Sequence, residues 1–296
     1  VRFDLLTIEL FIAICDAASI AKAAEQKNIA ASAVSKRISD LEAKLETSLF
    51  HRGVKGLELT PAGHTFLYHS RSILRDLRQM ELGLAHHGKG LSGQVRVFGS
   101  VSTIIQHLPS DLREFLLLHP SIRVELEEGT SKQAVDAVAE NAADIGVFGG
   151  VMPRPGLRIF PYRTDRLAVL APAGHAFVGR ESIRFDELVG HQMVGPMQGS
   201  FLDSIVMRAA ADLNKPLTMP IRVNGFETVA AMVEAELGVG LVPEACGARY
   251  VGGGKVYMCM LDEPWATRQW NICVQENNTQ PSVEMLVNFL RRSIPT

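Results

Sequence analysis

The chain has 296 residues, 47% of them hydrophobic and 21% charged, with 30 Lys and Arg against 32 Asp and Glu. That is a globular composition rather than a disordered one, and the length calls for two or three units rather than one ordinary core. No apolar run approaches the ~20 residues that span a bilayer. Asp4, Glu9 and Asp16 interrupt the apolar stretch a signal peptide would need, so a cytoplasmic location is expected.

Leu6, Leu10, Phe11 and Ile14 recur at helical spacing and predict a first helix over about residues 4–17. Ser19 is a good N-cap for a short second helix carrying Ile20, Ala23 and Ala24, whose small side chains let a neighbouring helix approach closely. After the polar break from Gln26 to Asn28, Val34, Ile38, Leu41 and Leu45 fall on one face of a third helix, while Ser32, Ser35, Lys36 and Ser39 fall on the other. Charge is uneven. Residues 1–90 hold a net +2 and the remainder −4, and the basic excess concentrates at Lys27, Lys36, Arg37, Lys44, Arg52 and Lys55. Short, tightly packed helices with a basic, hydroxyl-bearing face describe a helix-turn-helix suited to phosphate contact. Two short extended segments, Leu49 to Gly53 and Gly56 to Thr60, then read as a β-hairpin wing. Thr60-Pro61 opens a long helix to about His87, on which Phe66, Ile73, Leu77, Met80 and Leu84 approximate a coiled-coil seam. A lone helix cannot bury that seam, so a dimer is expected.

The ordered run Leu10-Phe11, Ala17 to Ala24, Ser32 to Ile38, Leu41-Glu42, Leu49 to Arg52 and Leu59 to Gly63 resembles the LysR-type regulator family. The match spans roughly the first 65 residues, and the family's layout fits the rest. The resemblance implies a DNA-binding transcription regulator, not an enzyme, that is modulated by a small-molecule effector. Ser32, Ser35, Lys36 and Arg37 would then enter or border the major groove, and Arg52 and Lys55 would contact phosphates from the wing. Groove contacts read sequence, while phosphate contacts set position. Where the family often has Ser-Gln, this chain has Ala30-Ala31, so a helix cap and a base-reading amide are both missing.

Gly88 to Gly93 reads as a polar hinge. Beyond it, strands at 94–99, 122–128 and 144–148 alternate with helices, and a second series follows with strands at 167–171, 221–224 and 239–242. A strand at 270–274 and a helix at 282–292 return the chain to the first unit. Such alternation indicates parallel strands with crossover helices. The fold class is therefore α+α/β: an N-terminal winged helix-turn-helix with a long linker helix, then a two-lobed α/β effector domain resembling periplasmic binding proteins. The expected domains are 1–60 for DNA binding, 61–92 for linker and hinge, and 93–296 for effector binding. The resemblance mainly sets the lobes, with lobe I at 93–162 and 267–296 and lobe II at 163–266.

Ligands in such sheets bind beyond the carboxyl ends of strands, where helix N-termini favour anions. Ser100, Ser102, Thr103, Thr130, Ser131 and Ser200 lie at those positions, with Phe148 and Phe226 available to cover an apolar portion. A small organic acid is the expected effector. The same Ser and Thr also serve as plain N-caps, and both Phe residues also suit core packing.

Other chemistry finds little support. Gly83 to Gly90 approaches a phosphate-binding loop but lacks the Ser or Thr after its lysine and follows a helix. There is no H-E-x-x-H pattern, no G-x-S-x-G elbow and no C-x-x-C pair, so neither a metal nor another cofactor is expected. Cys15, Cys246, Cys259 and Cys273 suit reduced, buried thiols, a redox-sensing pair among the last three being the alternative. Double-stranded DNA, an anionic effector and a second copy of the chain are the expected partners, with RNA polymerase a further candidate. The resemblance extends the assembly to a tetramer. Two other classes fit parts of the chain: a transport-type binding protein fused to DNA-binding helices, and an enzyme on the α/β lobes.

Overall fold

A computed structural model describes residues 3–53, 56–85 and 93–292. The chain divides into two units, Val1–Gly93 with Glu140–Ala142, and Gln94–Ala139 with Ala143–Thr296.

The first unit contains α1 (Leu5–Ala17), α2 (Ile20–Gln26), α3 (Ala31–Leu45), β1 (Phe50–Gly53), β2 (Gly56–Leu59) and α4 (Pro61–Ala85). Asp4 caps α1, accepting the Thr7 N–H at 2.9 Å, and Ala18 ends the helix in the left-handed region. Ser19 caps α2. Ala23 and Ala24 are buried, so three helices close on one core with Leu10, Phe11, Ile14 and Val34 at its centre. Full burial of such side chains is worth ~1.5–3 kcal/mol each. Phe11 stacks on both Phe50 and Phe66, tying the wing and α4 to that core. β1 and β2 form an antiparallel hairpin with Phe50 opposite Leu59 and Gly53 opposite Gly56.

The start of α4 is built by Thr60, whose buried hydroxyl donates to the Ser48 carbonyl at 2.7 Å and accepts the Gly63 N–H at 2.9 Å. A Cβ on Gly63 would meet the Leu49 carbonyl oxygen at 2.1 Å, so only glycine fits. The expected α4 seam divides. Phe66 serves the unit's own core, whereas Ile73 and Met80 are 41% and 53% exposed. The Leu84 side chain lies outside the described residues, as does the expected hinge at 88–92.

The second unit runs β3 (Gly93–Ser100), α5 (Val101–Gln106), α6 (Leu108–Leu118), β4 (Ile122–Gly129), α7 (Ser131–Ala139), β5 (Ile145–Gly149) and β6 (Leu157–Pro172). It continues through β7 (Ser182–Ile183), α8 (Phe185–Leu188), β8 (Met193–Pro196), α9 (Phe201–Asp212), β9 (Ile221–Val223), α10 (Phe226–Glu234) and β10 (Val239–Pro243). It closes with α11 (Glu244–Gly247), β11 (Val256–Leu261), β12 (Thr267–Gln275) and α12 (Pro281–Arg292). The strand order is β4-β3-β5-β12-β6-β10-β8-β9, with β11 on β6 and β7 on β11.

Two cores flank this order. One gathers Val97, Phe115, Ile145, Trp270 and Leu286, and the other Leu170, Phe185, Val206, Val233 and Leu241. Strands β3 and β5 run parallel, as do β10, β8 and β9. The expectation of parallel strands holds for those pairs and fails around β6, β11 and β12, where β11 is antiparallel to β6. There β12 is antiparallel to both β5 and β6, and β6 is antiparallel to β10. The 16-residue β6 pairs β12 through Arg166 and then β10 from Leu167, so one strand serves both lobes. The sequence reading caught only its second half. Leu167 to Ala171 is uniformly buried, whereas the first half alternates between buried or half-buried and exposed positions interrupted by Arg and Asp.

At that crossing Arg268 faces Asp165 across the strands, its Nε 2.8 Å and Nη2 2.5 Å from the carboxylate. Gln106, at the end of α5, donates to the same carboxylate at 2.8 Å. Arg268 is only 2% exposed, so the pair is held out of water.

Candidate functional site

Two regions gather the residues singled out above. On α3, Val34, Ile38 and Leu41 face the core, leaving Ser32, Lys36 and Arg37 exposed and Ser35 half-buried. The helix begins at Ala30 without a side-chain cap, as Ala30-Ala31 requires. The Ala33 and Val34 N–H groups both turn back to the Ala30 carbonyl, at 2.9 and 3.1 Å, and no side-chain hydroxyl caps this start. Arg37 has a tie that the spacing did not reveal. Its Nη1 lies 3.3 Å from Asp4 Oδ1 and 3.2 Å from Thr7 Oγ1, so α1 restrains a side chain expected at the groove. Hydrogen bonds from the Thr7 side chain and N–H, more than Arg37 itself, hold the Asp4 carboxyl below its ordinary range. Glu42 Oε1 accepts the N–H groups of Leu49 at 2.7 Å and Phe50 at 3.2 Å, fixing where the wing leaves α3. Arg52 lies in β1 opposite Leu57, and Lys55 lies outside the described residues.

The second region is a cleft in the α/β unit with a volume of about 190 Å³. From one side come Ser100 and Ser102 at the start of α5, and Glu128, Thr130, Ser131 and Gln133 around the start of α7. From the other come Ser200 and Phe201 at the start of α9, and Asn224 and Phe226 at the start of α10. Trp270 of β12 forms part of the lining. Successive βα turns deliver helix N-termini to one place because the parallel strands end there together.

Two of the five hydroxyls here cap helices, those of Thr130 and Ser200. Thr130 and Gln133 bond reciprocally, Thr130 N–H to Gln133 Oε1 at 2.8 Å and Gln133 N–H to Thr130 Oγ1 at 3.2 Å. Ser200 accepts the Asp203 N–H at 3.1 Å, and Ser131 Oγ accepts the Gly149 N–H at 2.9 Å. Accepting leaves each hydroxyl hydrogen available to a ligand. Ser100 makes no side-chain cap bond, although its hydroxyl lies 3.2 Å from Thr103 Oγ1.

Six of the eight residues singled out for an effector line the cleft: Ser100, Ser102, Thr130, Ser131, Ser200 and Phe226. Two do not. Thr103 is fully buried, its hydroxyl donating to the Ser100 carbonyl at 2.8 Å, so it closes the βα turn. Phe148 points to the opposite side of β5, where it packs with Val135 and Val138 of α7. Neighbouring strand residues face opposite ways, and Phe148 took the helix-covered face.

Phe201 and Trp270 were missed as lining residues. Their rings meet edge to face at 5.7 Å, above Gly149 and Gly150. A Cβ on Gly149 would stand 2.2 Å from the Phe201 ring and 2.8 Å from that of Trp270, so the bare backbone is the seat for both. The Gly149-Gly150 pair was the available signal, since glycine at a strand end often marks close approach. Which ring lands there depends on residues 51 and 120 positions away and was not legible.

No group of three or more His, Cys, Asp or Glu is placed to hold a metal among the described residues. Burial pushes the Cys15 and Cys273 thiols up to about 12 and Cys246 to about 11, away from the thiolate that redox sensing needs.

Residues 5–64 match the bacterial regulatory helix-turn-helix proteins of the lysR family, and residues 88–295 match the LysR substrate binding domain. Among curated relatives, a probable RuBisCO transcriptional regulator of Trichormus variabilis is 26% identical over 268 residues, covering 88% of this chain and 79% of the relative. The transcriptional activator IlvY of Haemophilus influenzae is 24% identical over 276 residues, covering 92% and 94%. Among solved structures, a full-length Cys-to-Asp variant of OxyR from Pseudomonas aeruginosa superposes with a TM-score of 0.71 at 19% identity, over 98% of this chain and 95% of that one. Full-length CbnR, solved in complex with its target DNA, gives 0.68 at 21% identity, over 98% and 100%. At these identities the superpositions speak for the fold.

Proposed function

The chain belongs to the LysR family of transcriptional regulators, and on that premise we propose that it binds operator DNA through α3 and the wing and answers to a small organic acid held in the cleft. The observation that carries the effector reading is the cleft itself. Hydroxyls and the starts of α7, α9 and α10 converge there, and no Lys or Arg is among its lining residues. First-turn N–H groups lack intrahelical partners and carry the positive end of the helix dipole, which favours a carboxylate. Val101, Phe201, Phe226 and Trp270 supply an apolar wall for the rest of the molecule. A volume of about 190 Å³ lies below the ~300–1,000 Å³ of drug-sized clefts, so the effector is small.

On α3, Ser32, Ser35 and Lys36 stand at the surface that meets the major groove, and Arg37 contributes beside Asp4. Arg52, in β1, and Lys55 meet phosphates on this reading. The exposed Ile73 and Met80 on α4 support pairing of two copies, which would set two recognition helices about 34–36 Å apart on a partly symmetric site. Tetramer formation and contact with RNA polymerase extend the same reading. The domains are 1–60, 61–92 and 93–296, with the lobes parting near 163 and 266, where β6 and β12 cross.

Gel-shift titration against native promoter fragments at several salt concentrations tests the DNA half. Specific binding that weakens steeply with salt is expected; equal affinity for all fragments refutes it. Calorimetric titration with small carboxylic and amino acids tests the effector half. Ser102→Ala and Thr130→Ala are each expected to weaken binding about tenfold, as for loss of a hydrogen bond to a charged group. Binding unchanged in both variants overturns the assignment.

A further inference from the structure

The cleft lining holds one charged side chain, and its sign is opposite to the one an acid would recruit. Glu128, next to last in β4, contributes a carboxylate to the lining and has no ion-pair partner among the described residues. Most other carboxylates beside these helices are engaged. Asp203 accepts from Gly199 and Arg222, Asp136 from Lys132 and Arg154, and Asp144 from Arg96. Among the described residues, Glu128 is the one carboxylate in the lining, and no cation pairs with it. A ligand that was only an anion would gain nothing from this solvated carboxylate and be repelled by it, and a dianion would be repelled further.

We propose that the effector is a small zwitterion, an amino-carboxylate with an apolar body, whose ammonium group meets Glu128. This rests on the cleft being the effector site. The carboxylate half has its own partners in the α7, α9 and α10 starts and the hydroxyls of Ser102 and Ser131. Glu128 itself is exposed, so an ammonium there sheds only part of its water. That is the inexpensive arrangement for a charged group. The apolar wall of Val101, Phe201, Phe226 and Val229 selects a hydrocarbon side chain between the two charged ends. Net neutrality also explains how the site manages without Arg or Lys. Helix ends offset a single carboxylate, and Glu128 offsets the ammonium.

The test is calorimetric titration of the full chain with matched pairs: L-valine against 3-methylbutanoate, L-leucine against 4-methylpentanoate, and L-phenylalanine against 3-phenylpropanoate. At least one amino acid is expected to bind about tenfold or more tightly than its deaminated partner, the preference a charge-assisted hydrogen bond supplies. In Glu128→Gln that preference should fall toward unity while the deaminated acid binds as well as before or better. If the deaminated acids bind as tightly as the amino acids in the wild-type chain, and Ser102→Ala weakens them, the zwitterion is refuted while the acid-binding cleft stands. A preference that survives Glu128→Gln also refutes it. Failure of both series to bind overturns the two readings together. Circular dichroism melting of Glu128→Gln keeps a folding defect apart from a binding one.

Discussion

At the scale of single residues, a few close approaches decide what the cleft is. Gly149 offers bare backbone on which Phe201 and Trp270 rest, and both rings form part of the lining. Gly149→Ala is expected to destabilise the chain by about 1–3 kcal/mol, the usual cost of overpacking, and to weaken ligand binding as the two rings move. Urea unfolding followed by Trp fluorescence, with titration of the same protein, checks both; a wild-type midpoint and affinity would show that the contact is not limiting. Thr103 makes the opposite point. It has the right side chain at the right place in sequence, yet its hydroxyl is consumed by the turn that presents Ser100 and Ser102. Arg37 lies between these cases, exposed as expected at 43% of its side chain yet tethered to Asp4 and Thr7.

At the scale of elements, α4 shows how one helix divides its labour. Leu67 and Ser70 are buried and Phe66 packs on Phe11, so the first turns close the helix-turn-helix core. Further along the helix, Ile73 and Met80 present apolar surface, 41% and 53% exposed. The double substitution Ile73→Glu with Met80→Glu is expected to leave melting of the helical unit nearly unchanged, since both sites are exposed. It should weaken self-association about tenfold or more, as each buried side chain is worth ~1.5–3 kcal/mol. Sedimentation velocity over a concentration series measures this. An unaltered distribution would place the dimer contact elsewhere. Strand β6 carries a related lesson. Its sixteen residues follow two burial patterns because its first half packs in one lobe and its second half in the other.

At the scale of the whole molecule, stability should depend on pH through a histidine pair that is not among the cleft residues. His175 Nδ1 accepts the Phe177 N–H at 3.3 Å, so its proton resides on Nε2, which donates to His191 Nδ1 at 3.1 Å. His175 is neutral in that arrangement, and a proton added at its Nδ1 breaks the bond from the Phe177 N–H. Burial, and secondarily the neighbouring His191, lower the His175 pKa below its ordinary 6.5. The unfolded chain therefore takes up a proton as pH falls through about 6.5, before the folded chain does. Stability is full above that value and is lost from there down to the folded pKa. Thermal melts between pH 7.5 and 5 should show a falling Tm, with a shallower fall in His175→Asn. Parallel curves for the two proteins would remove the pair from the explanation.

Much of this protein was legible in its residues because the relevant forces act over a few positions. The 3.6-residue spacing of Leu10, Ile14, Val34, Ile38 and Leu41, the caps at Ser19 and Thr60, and the alternation of strands with helices after Gly93 all report local constraints. The ordered motifs across the first 65 residues identified the family on the same footing. What waited for the tertiary structure involves partners far apart in the chain. Phe201 and Trp270 meet above Gly149, Asp165 is buried with Arg268 and Gln106, Arg37 is held by Asp4, and Glu128 stands uncompensated beside the cleft. A residue's type and neighbours in sequence state what it can bond to, but only the closed sheet determines which groups reach it and which are left without partners.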